Sequence, residues 1–246
     1  MSGLTQSLLT PDWPAPASVR ACVTTRQGGV SLPPFDTFNL GDHVGDDPAA
    51  VAQNRLRLSG EFDIQPAWLK QVHGLAVVDA DPSRVVEADA SWTDRPGIAC
   101  TVMTADCLPV LFCDQAGTQV AAAHAGWRGL AGGVLEATLD RLDVPPAQVL
   151  VWLGPAIGPQ AFEVGLEVRD AFTAVHPEAA RAFVDGERPG KLMADIYTLA
   201  RIRLAARGVT AVYGGGLCTV SDERFFSYRR TPQGGRFASL VWLAPR

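Results

Sequence analysis

The sequence predicts one α+β domain with mixed sheets. Three observations carry that expectation. Short apolar or alternating runs recur along the chain, punctuated by Gly and Pro. In the second half such runs alternate with stretches of helical period. No internal repeat, low-complexity tract or linker divides the 246 residues, 47% of them hydrophobic, so one large core is within reach.

Residues 1–20 read as a Pro-rich, loosely packed lead-in, and 21–246 as the domain. Ala21–Arg26 reads as a strand closed by Gly28-Gly29. The loop LPPFDTFNLGDHVGDDP follows; loops this long are usually functional or mobile. Asp47 and Pro48 read as the N-cap and first residue of a helix through Val51, Arg55 and Leu58 that stops at Gly60. Trp68–Val78 is strand-like but interrupted at Gly74, and Ala88–Thr93 is short and alternating. Ile98–Met103 is apolar throughout and reads as a buried strand. Leu108–Phe112 and Gln119–His124 follow as strands, with turns at Thr104–Asp106 and Asp114–Gly117. Leu130, Val134, Leu135, Leu139 and Leu142 recur at helical spacing. Val149–Leu153 is a strand, then helices are expected at Leu166–Val175 and Asp195–Arg207, the latter capped by Asp195 and closed by Gly208. Val212–Thr219, Phe225–Tyr228 and Phe237–Leu243 finish the chain as strands.

The totals exclude several function classes. A net charge of −5 gives no basic footprint for nucleic acid. No apolar run reaches the roughly 18–20 residues that span a bilayer. The start, MSGLTQSLLTPDWPAP, lacks the basic and long apolar regions of a signal peptide, so a cytoplasmic location is expected. Five cysteines (22, 100, 107, 113 and 218) are an odd set without framework spacing, which fits reduced thiols.

Chemistry concentrates between Thr104 and Leu130. Cys107 follows a tight Ala-Asp step, and His124 ends a run of alanines. Gly126, Gly129, Gly132 and Gly133 crowd the far side of His124. Small residues around two metal-competent side chains predict a cavity. With His73, 34 residues before Cys107, the set is too dispersed for a structural zinc motif, whose ligands usually come in close pairs. It suits a catalytic site of three protein ligands, for Zn²⁺ or, in competition, copper. The rival readings are a Cys–His nucleophile pair, ordinary buried thiols and, for His73, a surface turn histidine.

The runs TTRQGGVS, FNLGDHVGDDP with Asn54-Arg55, KQVHG, TADCLPVLF, AAAHAGWRGL, LGPAIGP with FEVG, and SYRR with Gly235-Arg236 carry a resemblance. From about Ala21 to Leu243, and in the family's order, the chain resembles the YfiH-like family, formerly described as laccase-domain or multicopper polyphenol oxidoreductase proteins. No metal position departs from the pattern; Ser91-Trp92 replaces a more usual aliphatic pair. The resemblance implies a layered α/β sandwich, similar also to a toxin deamidase with a Cys–His pair. It implies zinc held by His73, Cys107 and His124. It implies phosphorolysis of purine nucleosides, including methylthioadenosine, with adenosine deamination; some members are described as peptidoglycan editing factors.

These activities set requirements for other residues. Zinc lowers the pKa of bound water to about 7, and zinc deaminases add a carboxylate that is not a ligand. Asp106 is the candidate, with a turn cap as its alternative. Phosphate calls for arginine forks or helix N-termini. Arg128, at the head of the 130–142 helix, is favoured; Arg55, Arg26, Arg229 and Arg236 are further candidates, each with a surface ion pair as its alternative. Phe38, Trp127 or Phe226 would stack on the base. His43 lies in a loop able to close over the site, with a solvated loop histidine as its equal alternative; His176 reads as structural, and the other cysteines as small buried residues. The expected partners are purine nucleosides and phosphate, on a monomer or homodimer. Two other classes stay open. One is a Cys107–His124 hydrolase or amidase acting on peptidoglycan precursors; the other is a nucleoside-binding module without turnover. Four histidines are too few for multicopper chemistry, which leaves only weak copper-dependent phenol oxidation at the same three ligands.

Overall fold

The central strands are buried on both faces, which is why they read as unbroken apolar runs: Leu108–Asp114, Val120–Ala125 and Phe237–Leu243 are buried throughout. The structure, a computed structural model, describes residues 7–245. Successive strand residues point to opposite faces, so each strand feeds two cores. Leu111 and Cys113 meet Val23, Val102 and Val241 between two sheets. Leu108, Val110 and Phe112, on the opposite face, pack with Leu130, Val134 and Leu199 of the helices. Beyond the other sheet, Ala99, Met103 and Leu240 pack with Leu58 of the helix Pro48–Phe62. Four layers result, helix, sheet, sheet and helices, the layered α+β sandwich with mixed sheets that was expected.

The five-stranded sheet runs Leu8–Leu9, Val19–Thr24, Phe237–Leu243, Ile98–Thr104, Gln65–Ala67, with only the last pair parallel. The six-stranded sheet runs Ala211–Gly214, Val149–Leu153, Leu108–Asp114, Val120–Ala125, Ala90–Thr93, Val77–Asp79, parallel at both ends. The helices Trp127–Gly132, Val134–Leu139, Leu166–Thr173 and Ile196–Ala206 cover the second sheet.

Several elements differ from expectation, each for a local reason. The lead-in is not loose: Leu8 and Leu9 pair with Thr24 and Val23, and Trp13 packs on the inter-sheet core. Its residues 1–6 lie outside the described residues. The first helix passes Gly60 and ends at Phe62, where Asp63 turns left-handed at φ 52°. The expected 130–142 helix is two short ones, because Gly133 breaks the ladder at φ 109°. The expected 212–219 strand ends at Gly214, where three successive glycines take φ between 69° and 90°. Phe225–Tyr228 is not a strand; Phe225 and Phe226 are apolar because turns bury them.

The long loop 31–46 brings His43 to the cavity edge, and it is pinned from below. Asn54, fully buried in the first helix, donates to Ser31 Oγ (3.0 Å) and the Asn39 carbonyl (2.9 Å) and accepts from the Val30 N–H (3.0 Å). A buried polar group left without a partner costs about 1–3 kcal/mol. Asn54→Ala is therefore expected to lower stability by at least about 2 kcal/mol, read from the urea midpoint, and to raise hydrogen exchange across 31–46. An unchanged midpoint would show that the loop holds itself.

Candidate metal centre

His73 comes from the loop between Leu69–Lys70 and Val77–Asp79, with its backbone left-handed at φ 61°. That conformation is uncommon for a residue with a side chain and persists only where neighbours impose it. Here Gln71 pairs both ways with the Met103 backbone, at 2.7 and 2.8 Å, tying the loop to the five-stranded sheet. Asp89 then accepts from the N–H groups of Val72 (3.2 Å), His73 (2.9 Å) and Gly74 (2.6 Å).

Cys107 stands on the turn into Leu108–Asp114, after Asp106 at φ 96°. The Asp106 carboxylate accepts from Thr219 Oγ1 and from the Arg229 N–H, each at 2.6 Å, and its carbonyl accepts from the Ile157 N–H at 2.8 Å. His124, on the strand Val120–Ala125, is 3% exposed, and its Nδ1 lies 2.8 Å from Asp89 Oδ1. Nδ1 donating to that carboxylate leaves the other ring nitrogen as a lone-pair donor toward Cys107.

The donor atoms of His73, Cys107 and His124 all lie within 4.8 Å of one another. Cys107 Sγ is 3.7 Å from His73 Nε2, and the two imidazole rings meet edge to face at 4.7 Å. Gly126 makes this convergence possible. A Cβ there would lie 2.6 Å from His73 Cδ2 and 3.0 Å from Cys107 Sγ, closer than such atoms pack. Two imidazoles, one thiolate, a carboxylate orienting one imidazole and a gap on the cavity side suit zinc, with copper competing.

Burial by itself would raise the Cys107 pKa, but the charge and hydrogen bond of His124, aided by His73, bring it down to about 6. Burial would conversely lower that of His124; the Cys107 charge and the Asp89 hydrogen bond carry it up to about 9. Without metal the pair is thus thiolate and imidazolium at neutral pH. Cys22, Cys100 and Cys113 are instead pushed up to about 12 by burial, as inert packing thiols.

The three donors line a cavity of about 460 Å³, within the range of small-molecule sites. Trp127, Phe162 and Tyr228 give it aromatic walls, and His43, Arg229 and Arg236 give it cationic or titratable ones. A broader hollow of about 690 Å³ around Ser18, Trp92 and Gly117 shares none of these residues and is lined by no thiol or imidazole.

The other expected site residues divide. Asp106 lines the cavity, but Thr219 and Arg229 occupy both carboxylate oxygens, the geometry of an anchor and not of a proton carrier. Arg229 lines it too, with its guanidinium on the carbonyls of Ala161 and Glu163. Arg128 is exposed, stacked 4.4 Å over the Trp127 ring, and outside the cavity wall; the helix it was expected to head is broken. Arg55 spends its donors on the Leu40 carbonyl and Asp42 and packs 4.2 Å over Trp68. Arg26 is paired with Asp36 beside Phe226, in a separate recess of about 130 Å³. Of the stacking candidates only Trp127 reaches the cavity; Phe38 is core. Asp89 gave no sequence signal of its own, and Phe162 and Tyr228 gave one only as members of the FEVG and SYRR runs, because register and turn placement bring them to the site.

Three metal-competent donors, one of them buried and oriented by a carboxylate, converge at a cavity in a layered α/β sandwich, and this makes a candidate metal site. The chain belongs to the family described as multi-copper polyphenol oxidoreductase laccase, whose model matches residues 20–244, and its relatives carry the YfiH name. It is 71% identical over 236 residues to a Pseudomonas aeruginosa protein named purine nucleoside phosphorylase, covering 96% of this chain and 98% of that one. It is 55% identical over 241 residues to Escherichia coli purine nucleoside phosphorylase YfiH, with coverages of 96% and 98%. Among solved structures, a Neisseria meningitidis protein superposes with a TM-score of 0.94 at 54% identity, covering 97% of this chain and 100% of that one. YlmD from Geobacillus stearothermophilus does so with 0.85 at 32% identity, covering 93% of each.

Gly126→Ala is expected to abolish stoichiometric metal binding while the protein stays folded, because the atoms nearest the added methyl all belong to two of the candidate donors, His73 and Cys107. Metal content by mass spectrometry with circular dichroism alongside checks this. Full loading in the variant would show that the ligands have room to move.

Proposed function

We propose that the chain is a zinc-dependent purine nucleoside phosphorylase, with His73, Cys107 and His124 as the metal ligands. Its substrates are adenosine, inosine and methylthioadenosine with phosphate, and it deaminates adenosine as well. One observation carries the reading: three donors far apart in sequence converge within 4.8 Å on the floor of a nucleoside-sized cavity. The names borne by the relatives support it. We take the enzyme to be cytoplasmic and monomeric or homodimeric; no helix among the described residues is long and apolar enough to cross a membrane.

Phosphorolysis forms a bond from a phosphate oxygen to C1′ as the N9–C1′ bond breaks; the electron pair leaves with the base, which takes up a proton. The chain's residues serve the binding and exclusion that this needs. Trp127, Phe162 and Tyr228 offer faces for the purine, and guanidinium groups on the wall face the phosphate. The buried His124 end of the cavity keeps water from the reacting carbon. Zinc, when bound, supplies Lewis-acid polarisation and water activated near pH 7, which is the chemistry deamination requires. The same donors take copper in competition, but multicopper chemistry does not fit: His43 is exposed on the rim and His176 starts a short helix outside the cavity.

Adenosine incubated with and without phosphate, its products resolved by chromatography beside Cys107→Ala, tests the reading. Adenine formed only with phosphate, or inosine, is expected and should fall by at least about a hundredfold in the variant. Unchanged adenosine in folded, zinc-loaded protein would overturn it.

The thiolate–imidazolium pair with Asp89 on the far imidazole nitrogen also supports a second reading, a cysteine hydrolase acting on amides such as peptidoglycan precursors. Thiol alkylation separates the two. Metal-free protein is expected to alkylate at Cys107 along a curve with its midpoint near pH 6, falling at lower pH as the thiolate protonates, whereas zinc-loaded protein resists. Fast alkylation of fully loaded protein, with amide turnover, would favour the hydrolase.

A further inference from the structure

We propose that Arg236 is the oxyanion receptor of this cavity, taking phosphate side-on along its Nε and Nη2 edge with Arg229 as a second cation. This rests on the phosphorolysis reading for its role, but not for the binding chemistry itself.

Arg236 is half-buried, and no carboxylate among the described residues forms an ion pair with it. A desolvated guanidinium without a counter-charge is costly, and that cost is recovered when an anion arrives. Both hydrogen bonds of the side chain leave from Nη1, to the carbonyls of Gly234 and Gly235 at 3.0 Å each. The bonds turn the group without using its Nε–Nη2 side, the pair of parallel donors that matches two oxygens of a phosphate. Burial pulls the Arg236 pKa down, with the Cys107 and Asp106 charges opposing, which places the guanidinium within electrostatic reach of the metal centre.

The setting is built and not incidental. Asn39 Oδ1 accepts from the Arg236 N–H at 2.8 Å, and the Arg236 carbonyl accepts from the Leu40 N–H at 3.1 Å. Gly41 leaves space for the stem, since a Cβ there would lie 2.9 Å from Arg236 Cγ. Tyr228 flanks the guanidinium, its ring centre 5.9 Å from Cζ. Arg229 reaches the same wall, while Arg128, Arg55 and Arg26 are committed elsewhere. The one carboxylate on the wall, Asp106, already takes two donors and forms no ion pair with Arg236, acting on it only through space.

Calorimetric titration of the zinc-loaded full chain with inorganic phosphate, and separately with adenosine, tests this. Arg236→Gln is expected to weaken phosphate binding about tenfold or more, while adenosine affinity and zinc content stay within twofold. Arg236→Lys, which keeps the charge but loses the fork, should fall between, and Arg128→Gln should match the parent. Phosphate binding that depends on Arg236 in a protein without phosphorolysis would uphold the receptor and remove the enzymatic reading. Unchanged phosphate affinity in Arg236→Gln, equal loss of phosphate and adenosine binding, or no phosphate binding by the parent would each overturn the inference.

Discussion

Asp89 holds the candidate metal centre together. Its carboxylate is fully buried, a position that would push its pKa up and favour the neutral acid. The His124 side chain and three backbone N–H groups outweigh that and hold it below the ordinary carboxylate range. One anion thus fixes two of the three candidate donors by different means, His124 through its ring and His73 through its backbone. The sheet makes the placement obligatory. Ala90 faces Ala123 across the strand pair, and the Asp89 carbonyl accepts from the His124 N–H at 2.7 Å. A one-residue slip of either strand would send one partner to the wrong face.

The second constraint is closeness, and it explains the small residues better than a cavity does. The alanines at 121, 122 and 123 do not line the cavity; they are fully buried and face the helical core or the inter-sheet core in turn. Their size lets the layers approach. Glycines then press the short helix Trp127–Gly132 onto the His73 loop. A Cβ on Gly129 would lie 3.2 Å from the Gly74 carbonyl, and one on Gly132 would lie 2.9 Å from Leu75. With Gly126 between His73 and Cys107, the helix, loop and strand become one body that holds three donors at ligating range.

How much of this was legible follows from the range of each signal. Val149–Leu153 and Phe237–Leu243 appear with the expected boundaries, and Asp47 and Asp195 cap their helices as read, because those signals are local. The three candidate donors were legible through their chemistry and the quoted blocks, and the fold brings them within 4.8 Å of one another. Asp89 was not, since a lone aspartate between alanines says nothing until the register sets it beside His124. Of the candidate arginines, Arg229 and Arg236 line the cavity, whereas the favoured Arg128 does not, for a related reason. Local context favoured Arg128 at a helix head, but a glycine broke that helix and its side chain settled over Trp127. Arg236 reaches the site only because the chain's end returns through the sheet next to Asn39, some 197 residues earlier.

Charge completes the design. In the metal-free centre the thiolate is formed above about pH 6 and the imidazolium persists to about pH 9. Between those limits Cys107 is already ionised, and of that pair a divalent ion displaces the His124 proton alone. Below the lower limit both ligands carry protons that the metal must displace, so affinity declines as pH falls. The Asp89 hydrogen bond keeps the imidazole aimed in either state, so proton and metal exchange without moving the ring. A preset thiolate, an oriented imidazole and an unpaired guanidinium across one cavity make a site whose missing charges are those of a divalent cation and an oxyanion.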